Sequence, residues 1–390
     1  MHPTPNQLRL YRIHAQLMDW FKQQKRDLPW RTLPREAYKV WISEIMLQQT
    51  QVETVIPYFQ TWMAQWPTVE DLAQASEDQV LKAWEGLGYY ARARNILKTA
   101  RLVANDYQGC MPETYEELIK LPGIGPYTAA AIASYTSGQA VGAVDANVLR
   151  VLSRLNQVEW TAGDPKSLKD CQQALSSAME DLRKNQPAEG PSFQAGLLNE
   201  ALIELGALIC QAKAASCPLC PLKADCLALA NDRVYDFPLP KAKVLKKEVS
   251  YSLLILYRQD LQSFAVEQRP VDGLLGGLWQ FPLPEGLQEP EDLRRSLENQ
   301  GYQIVSLRKL AGFRHVFTHL VWNLEPYLVL LAGREEGDHA DSPACVVKEN
   351  TDQVQWVSRK SLMDLPFSSS MTRLRDWVIN QDLSNGASAK

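Results

Sequence analysis

Between Leu121 and Arg154 the chain reads LPGIGPYTAAAIASYTSGQAVGAVDANVLRVLSR. Pro122-Gly123-Ile124-Gly125-Pro126 separates two helix-forming runs, TYEELIKL and YTAAAIASYT. Gly123 and Gly125 free the backbone for left-handed or crowded geometry. Pro126 suits the first turn of the helix that follows, where its missing N–H costs little. The unpaired N–H groups at such a helix start favour an anion, above all a phosphate. An ordinary corner between two helices would look the same from the turn alone. The lone acidic residue downstream, Asp145 in VDANVLR, tips the reading toward a clip for a nucleic-acid backbone with chemistry beside it.

A chain of 390 residues exceeds one ordinary core, so two domains are expected. The net charge of −4 gives no global footprint for nucleic acid. DNA binding must therefore rest on a local basic face. No apolar run approaches the roughly 18 residues of a membrane span. The start, MHPTPNQLRLYRIHAQL, lacks the apolar core and cleavage site of a signal peptide. An intracellular, cytoplasmic protein without a membrane partner is expected, working as a monomer.

Texture divides the chain. Up to about Leu229 apolar residues recur at three and four, as in Val52, Val55, Ile56, Phe59, Trp62 and Met63, so residues 1–230 read as all-α. Residues 231–247, with two prolines and five lysines or arginines, read as an extended linker. From Glu248, EVSYSLLILYR, SFAVEQRP and YLVLLAG read as strands, with EDLRRSLENQG and SRKSLMDLPF as short helices. Residues 248–378 therefore form an α+β domain, and 379–390 a disordered tail.

Four of the seven cysteines crowd into one loop: Cys210, Cys217, Cys220 and Cys226, spaced C-x6-C-x2-C-x5-C. Clustering of this kind in an intracellular chain argues for metal rather than disulfides. Four thiolates suit [4Fe–4S] or zinc. Structural zinc sites more often show two C-x2-C knuckles, and only one close pair is present, which favours the iron–sulfur cluster. Its role could be to staple a loop and aim basic residues such as Lys223.

The LPGIG hairpin, the VDANV aspartate and this cysteine spacing together resemble the helix-hairpin-helix DNA glycosylases of the endonuclease III superfamily. The resemblance implies base excision from duplex DNA with the substrate nucleotide flipped out, one [4Fe–4S] cluster on the four cysteines, and DNA contacts at Gly123 and Gly125. Lyase-competent members carry a Lys two residues after the second hairpin glycine, a Schiff-base nucleophile. Here that place is Tyr127, and a phenol cannot form an imine, so a hydrolytic, monofunctional enzyme is expected.

Upstream, YKVWISEIMLQQTQVETV places Glu44 among Trp41, Ile42, Ile45, Met46 and Leu47. A carboxyl in apolar surroundings has its charged form disfavoured and its pKa raised, which suits a general acid near neutrality. By itself the stretch fits an exposed helical Glu better, the usual fate of that residue. SEIMLQQTQV, however, is similar to the adenine-excising, MutY-type branch. That resemblance implies Glu44 as catalytic acid, Leu47 at the substrate, and Gln48, Gln49 and Thr50 facing DNA. It also implies Asp145 as the second carboxylate, with Tyr127 close to it, and Asn147 on the DNA. Arg26, Trp30, Arg31, Glu200 and Ile203 would form the adenine pocket; Gln49 and Tyr89 would wedge beside the orphaned partner base. Adenine opposite 8-oxoguanine or guanine is the implied substrate, cleaved with two carboxylates.

The segment GLLGGLWQFPLPEGLQEPEDLRRSLENQGYQI has a Nudix-like cadence. A working Nudix helix needs glutamates for Mg²⁺. Here Arg295 and Asn299 occupy two of those places and Glu298 alone remains, so the fold without the hydrolase activity is expected. Phe317-Thr318-His319, between two strand-like runs, resembles the loop with which the family reads 8-oxoguanine; its hydroxyl and imidazole offer donors and acceptors to a base edge. Rival readings are a bifunctional glycosylase/lyase and a non-catalytic DNA lesion-binding protein.

Overall fold

A computed structural model describes residues 10–185, 193–241, 245–334 and 354–383. The described chain divides into two compact units. One is built from residues 10–75 and 95–241, the other from residues 76–94 and 245–383.

Twelve α-helices precede the first strand among the described residues: α1 (Leu10–Gln24), α2 (Ala37–Leu47), α3 (Val52–Gln65), α4 (Val69–Ala73), α5 (Glu77–Ala83), α6 (Ala91–Asp106), α7 (Tyr115–Leu118), α8 (Pro126–Thr136), α9 (Ala146–Asn156), α10 (Pro165–Lys184), α11 (Ala195–Leu208) and α12 (Leu227–Ala230). Local chemistry sets several starts. Thr68 with Asp71, and Ser76 with Gln79, close reciprocal capping boxes, each satisfying two orphan donors. The first unit buries Leu17, Val148, Leu152, Leu175, Leu198 and Leu202 in one cluster. Helix α11 lies at its centre and approaches two neighbours closely. A Cβ on Gly196 would stand 2.6 Å from the Ser134 carbonyl oxygen of α8, and one on Gly206 would stand 2.6 Å from the Asn147 Cβ of α9. No other residue fits either crossing without displacing a helix.

The hairpin turn forms as expected, with Pro126 at the first position of α8. Only Gly123 takes the left-handed conformation, φ +76°, where a Cβ would also strike Asn95. Gly125 is an N-cap with φ −86°. Its Cβ position is open, so its use is clearance rather than unusual torsion.

In the second unit, β1 (Lys247–Arg258), β2 (Ser263–Gln268), β3 (Trp279–Gln280), β4 (Tyr302–Lys309), β5 (Phe313–Val316), β6 (Leu320–Arg334) and β7 (Val354–Ser358) form one mixed sheet, with the path β3-β2-β1-β6-β4, β5 also on β6 and β7 on β2. Strands β1 and β6 run parallel and the other pairs antiparallel. Leu253, Ile255 and Tyr257 point into one cluster with Phe281, Phe367 and Met371, while Leu254 and Leu256 point into another with Leu293 and Leu297. Side chains alternate along a strand, so the unbroken apolar run SLLILY means both faces are covered. Helix α13 (Pro290–Asn299) covers one face; α14 (Arg359–Asp364) and α15 (Ser369–Ile379) cover the other. Among the described residues no helix is long and apolar enough to cross a membrane.

Three boundaries differ from the sequence reading. Residues 76–94, expected within the helical domain, group with the sheet unit. The expected linker is not extended throughout: Phe237 is buried, Arg154 Nε donates to its carbonyl, and Leu239 pairs with Thr161. The tail expected from residue 379 stays packed to Leu383, which is 2% exposed, because Arg359 donates to the carbonyl oxygens of Ile379 and Gln381. Cys345 and residues 384–390 lie outside the described residues.

Candidate active site

Helix α2 is apolar over most of its surface, and its packing encloses one carboxyl. Glu44 is 7% exposed. It lines a cavity of about 760 Å³ in the first unit, together with Leu47 one turn on. Tyr127, on the first turn of α8, donates its hydroxyl to Glu44 Oε2 at 2.8 Å. Burial pushes the Glu44 carboxyl up from its ordinary 4.5 to about 7. The Tyr127 hydrogen bond and Arg31 oppose that rise, while Glu200 and Asp145 add to it. Burial dominates because removing a carboxylate from water outweighs one donated hydrogen bond.

Asp145 is the N-cap of α9. Its Oδ1 accepts from Val148 N at 2.8 Å and its Oδ2 from Asn147 Nδ2 at 2.8 Å. Burial raises its pKa, and those hydrogen bonds pull it back. The approach to Asp145 is pinned from two helices. Asn199 of α11 accepts from Ala143 N and donates to the Val141 carbonyl and to Ser134 Oγ; Ser176 of α10 accepts from Gly142 N. The two carboxyls thus enter one cavity from different helices, both held by neighbours that leave little rotamer freedom.

The far wall is ionic. Arg26 grips Glu204 through Nε at 2.8 Å and Nη2 at 3.1 Å. Arg31 bridges Glu200 at 3.1 Å and Glu204 at 3.0 Å. Arg35 clasps both Glu200 oxygens at 2.7 and 2.8 Å. Three guanidiniums against two carboxylates leave one positive charge in excess. A buried set of this kind orders a wall more than it adds stability. Trp30, edge-on to Phe59 at 5.4 Å, closes the side.

Of the residues singled out from sequence, Arg26, Trp30, Arg31, Glu44, Leu47, Gln48, Gln49, Thr50, Tyr127, Asp145, Asn147, Glu200 and Ile203 all line this cavity. The Tyr127 hydroxyl bonds to Glu44, and the same phenol lies within electrostatic reach of Asp145. Arg35, Tyr135, Asn199 and Glu204 escaped the sequence reading, although Glu204, one turn after Glu200, had a readable signal. Tyr135 lines the same cavity, and burial beside Glu44 and Glu200 raises its phenol well above the usual range.

The sequence matches the HhH-GPD superfamily of base excision DNA repair proteins over residues 42–177 and a NUDIX domain over residues 252–377. It is 36% identical to an adenine DNA glycosylase of Homo sapiens over 93% of this chain and 73% of that protein. It is 32% identical to one from Buchnera aphidicola over 82% of this chain and 86% of that protein. The chain belongs to the adenine DNA glycosylase family. The glycosylase is therefore a base excision repair hydrolase acting on N-glycosyl bonds, with a helical HhH-GPD domain followed by a Nudix-like one.

In this glycosylase the four clustered cysteines are unpaired and line one small cavity with Arg154 and Lys223. Burial raises the thiols of Cys217, Cys226 and Cys220, the last to about 12. Arg154, 2% exposed, lies beside them, donating to Cys210 Sγ at 3.4 Å and to the carbonyls of Cys210, Gln211 and Ala212. No group of three or more His, Cys, Asp or Glu among the described residues converges as it would around a single ion. Four thiols around one cavity, with a buried guanidinium to balance thiolate charge, fit a metal group held by thiolates.

The glycosylase carries Phe317-Thr318-His319 as the turn between β5 and β6, closed by Phe317 N donating to the Leu320 carbonyl at 2.8 Å. Phe317 packs on Trp322 at 5.0 Å, leaving Thr318 and His319 exposed. Tyr89 is not on the first unit's cavity. It stands in the second unit, 51% exposed, with its hydroxyl 3.0 Å from Thr318 Oγ1. Gln49 and Tyr89 both hold positive φ, 57° and 49°, a strained state for residues with a Cβ. Glu298, the remaining Nudix carboxylate, faces Arg294 at 3.8 Å.

Proposed function

We propose that the glycosylase is monofunctional and hydrolyses adenine from duplexes in which it stands opposite 8-oxoguanine or guanine. The observation that carries this reading is Glu44: a buried carboxyl, half-protonated near neutral pH, held by Tyr127 in a cavity that Asp145 also enters. Protonation of adenine N7 by Glu44 lets the base leave neutral, and an oxocarbenium-like sugar remains. Asp145, whose two accepted hydrogen bonds favour its ionised form, stabilises that cation or traps it until water arrives. The arginine–glutamate wall, with Trp30 and Ile203, forms the adenine pocket. Tyr127 stands where a lyase would need an amine, and none of the described residues lining the cavity is a lysine, which supports hydrolysis over imine chemistry.

Cys210, Cys217, Cys220 and Cys226 would hold one [4Fe–4S] cluster, which when bound closes the loop that presents Lys223 to DNA phosphate. Gly123 and Gly125 shape the backbone clip, and Gln48, Gln49, Thr50, Tyr89 and Asn147 contact the strand. Phe317, Thr318 and His319 read the base opposite the adenine.

Single-turnover excision on A:8-oxoguanine, A:G and A:T duplexes tests the reading. The expected order of rates is A:8-oxoguanine, then A:G, with A:T uncleaved. Glu44→Gln as active as the native enzyme would overturn the mechanism. Efficient borohydride capture of DNA through a lysine would overturn the monofunctional assignment.

A further inference from the structure

Within the second unit, the turn that carries Tyr89 rests on a buried ion pair. Glu85, just before the turn, accepts from Arg375 Nη1 of α15 at 2.7 Å. Both side chains are shielded, at 12% and 7% exposure. Glu85 also accepts from Thr372 Oγ1 at 3.3 Å and Phe367 N at 3.4 Å, and pairs with Lys82 at 2.8 Å. Arg375 additionally donates to the Leu365 carbonyl at 3.1 Å and stacks over the Phe367 ring. Tyr90, just after Tyr89, donates its hydroxyl to the Phe367 carbonyl at 3.1 Å. The turn is thus anchored on both sides to one patch, Leu365–Arg375.

Between those anchors the turn is a stiff piece. Gly86, Gly88 and Tyr89 all hold positive φ. Trp84 Nε1 donates to the Gly88 carbonyl at 3.0 Å, and Arg92 Nη2 donates to the carbonyls of Leu87 and Gly88 at 2.9 and 3.0 Å. The Arg92 guanidinium also lies over the rings of Trp84 and Tyr89. Where Glu85 and Tyr90 go, Tyr89 goes. On the other side of the patch, Phe367 and Phe317 pack into the same apolar cluster, so the support of the turn and the root of the 317–319 loop share one core. At the surface the two meet in the Tyr89–Thr318 hydrogen bond. That exposed contact is worth too little to fix the geometry alone; the buried pair beneath supplies the constraint.

We propose that Arg375 and Glu85 are positioning residues that hold the Tyr89 wedge in register with Thr318, so that they govern discrimination at the base opposite the adenine and not the excision chemistry. This rests on the reading that residues 317–319 inspect that base. The test uses the full chain with Arg375→Met, the isosteric Glu85→Gln, the double variant and Arg375→Lys. The A:8-oxoguanine rate should fall about fivefold in each single variant, the worth of one hydrogen bond, while the A:G rate holds. The double variant should be no worse than either single one, and Arg375→Lys should recover part of the loss. Amide exchange over residues 84–92 should quicken in the same variants.

Equal losses on both duplexes, or unchanged exchange over 84–92, would overturn the proposal. Quickened exchange, in an enzyme whose native form does not distinguish A:8-oxoguanine from A:G, would instead overturn the lesion-reading assignment, and with it the lock's role in discrimination.

Discussion

Replacing Glu44 by Gln should make the enzyme inactive and more stable at once, with the gain set by pH. Gln keeps the volume, and its carbonyl can still accept the Tyr127 hydroxyl that now reaches Oε2. What it removes is a carboxyl that burial shifts from 4.5 to about 7. At about 1.4 kcal/mol per decade, that displacement amounts to roughly 3 kcal/mol. The sign follows from proton binding. Below about pH 4.5 the carboxyl is protonated in both states and carries no penalty. Between about 4.5 and 7 the unfolded chain releases its proton first, so the native protein loses stability as pH rises. Above about 7 the full penalty stands. The melting temperature of Glu44→Gln minus that of the native protein should therefore climb from near zero to roughly 6–10 °C across this window, then level off. Native single-turnover excision should fall about tenfold per pH unit above 7 as the acid loses its proton, and the variant should be slower by about 10²–10⁴ below pH 7, with the gap narrowing above it. A melting difference that does not change between pH 4.5 and 8 would refute the buried-acid argument.

Gly206→Ala should cost roughly 1–3 kcal/mol in urea unfolding and slow excision, because its Cβ meets Asn147 at 2.6 Å and pushes the start of α9, which carries Asp145. Arg35→Met leaves Glu200 with Arg31 as its one arginine partner; losing the charge-assisted hydrogen bonds of Arg35 should lower unfolding free energy by about 1.5–3 kcal/mol and weaken duplex binding in a titration. On the proposed iron–sulfur assignment, the purified protein should show visible absorbance, iron and sulfide, and Cys220→Ser should lose all three and loosen DNA binding more than it slows excision once bound.

Much of the site was legible in short-range pattern. The hairpin proline, the lone Asp145 in VDANV and the cysteine spacing are signals spanning a turn or a loop, and chain connectivity brings such residues together. The β-branched and aromatic composition of the runs after Glu248 likewise carried the strands. Arg35 and Glu204 were harder to read, because a charged residue looks solvated until its partner is known, and here the partners lie 165 and 178 residues away.

The sequence by itself determined which elements form and which residue types could do chemistry, since helix starts, turns and strand faces are written within a few residues. Tertiary structure alone decided the pairings. It set Tyr127 on Glu44 across 83 residues. It moved the Tyr89 turn from the helical domain to the sheet unit, through an ion pair between residues 290 apart. No local propensity specifies such contacts. They exist because a buried charge must be paired, and close packing decides which partners are within reach.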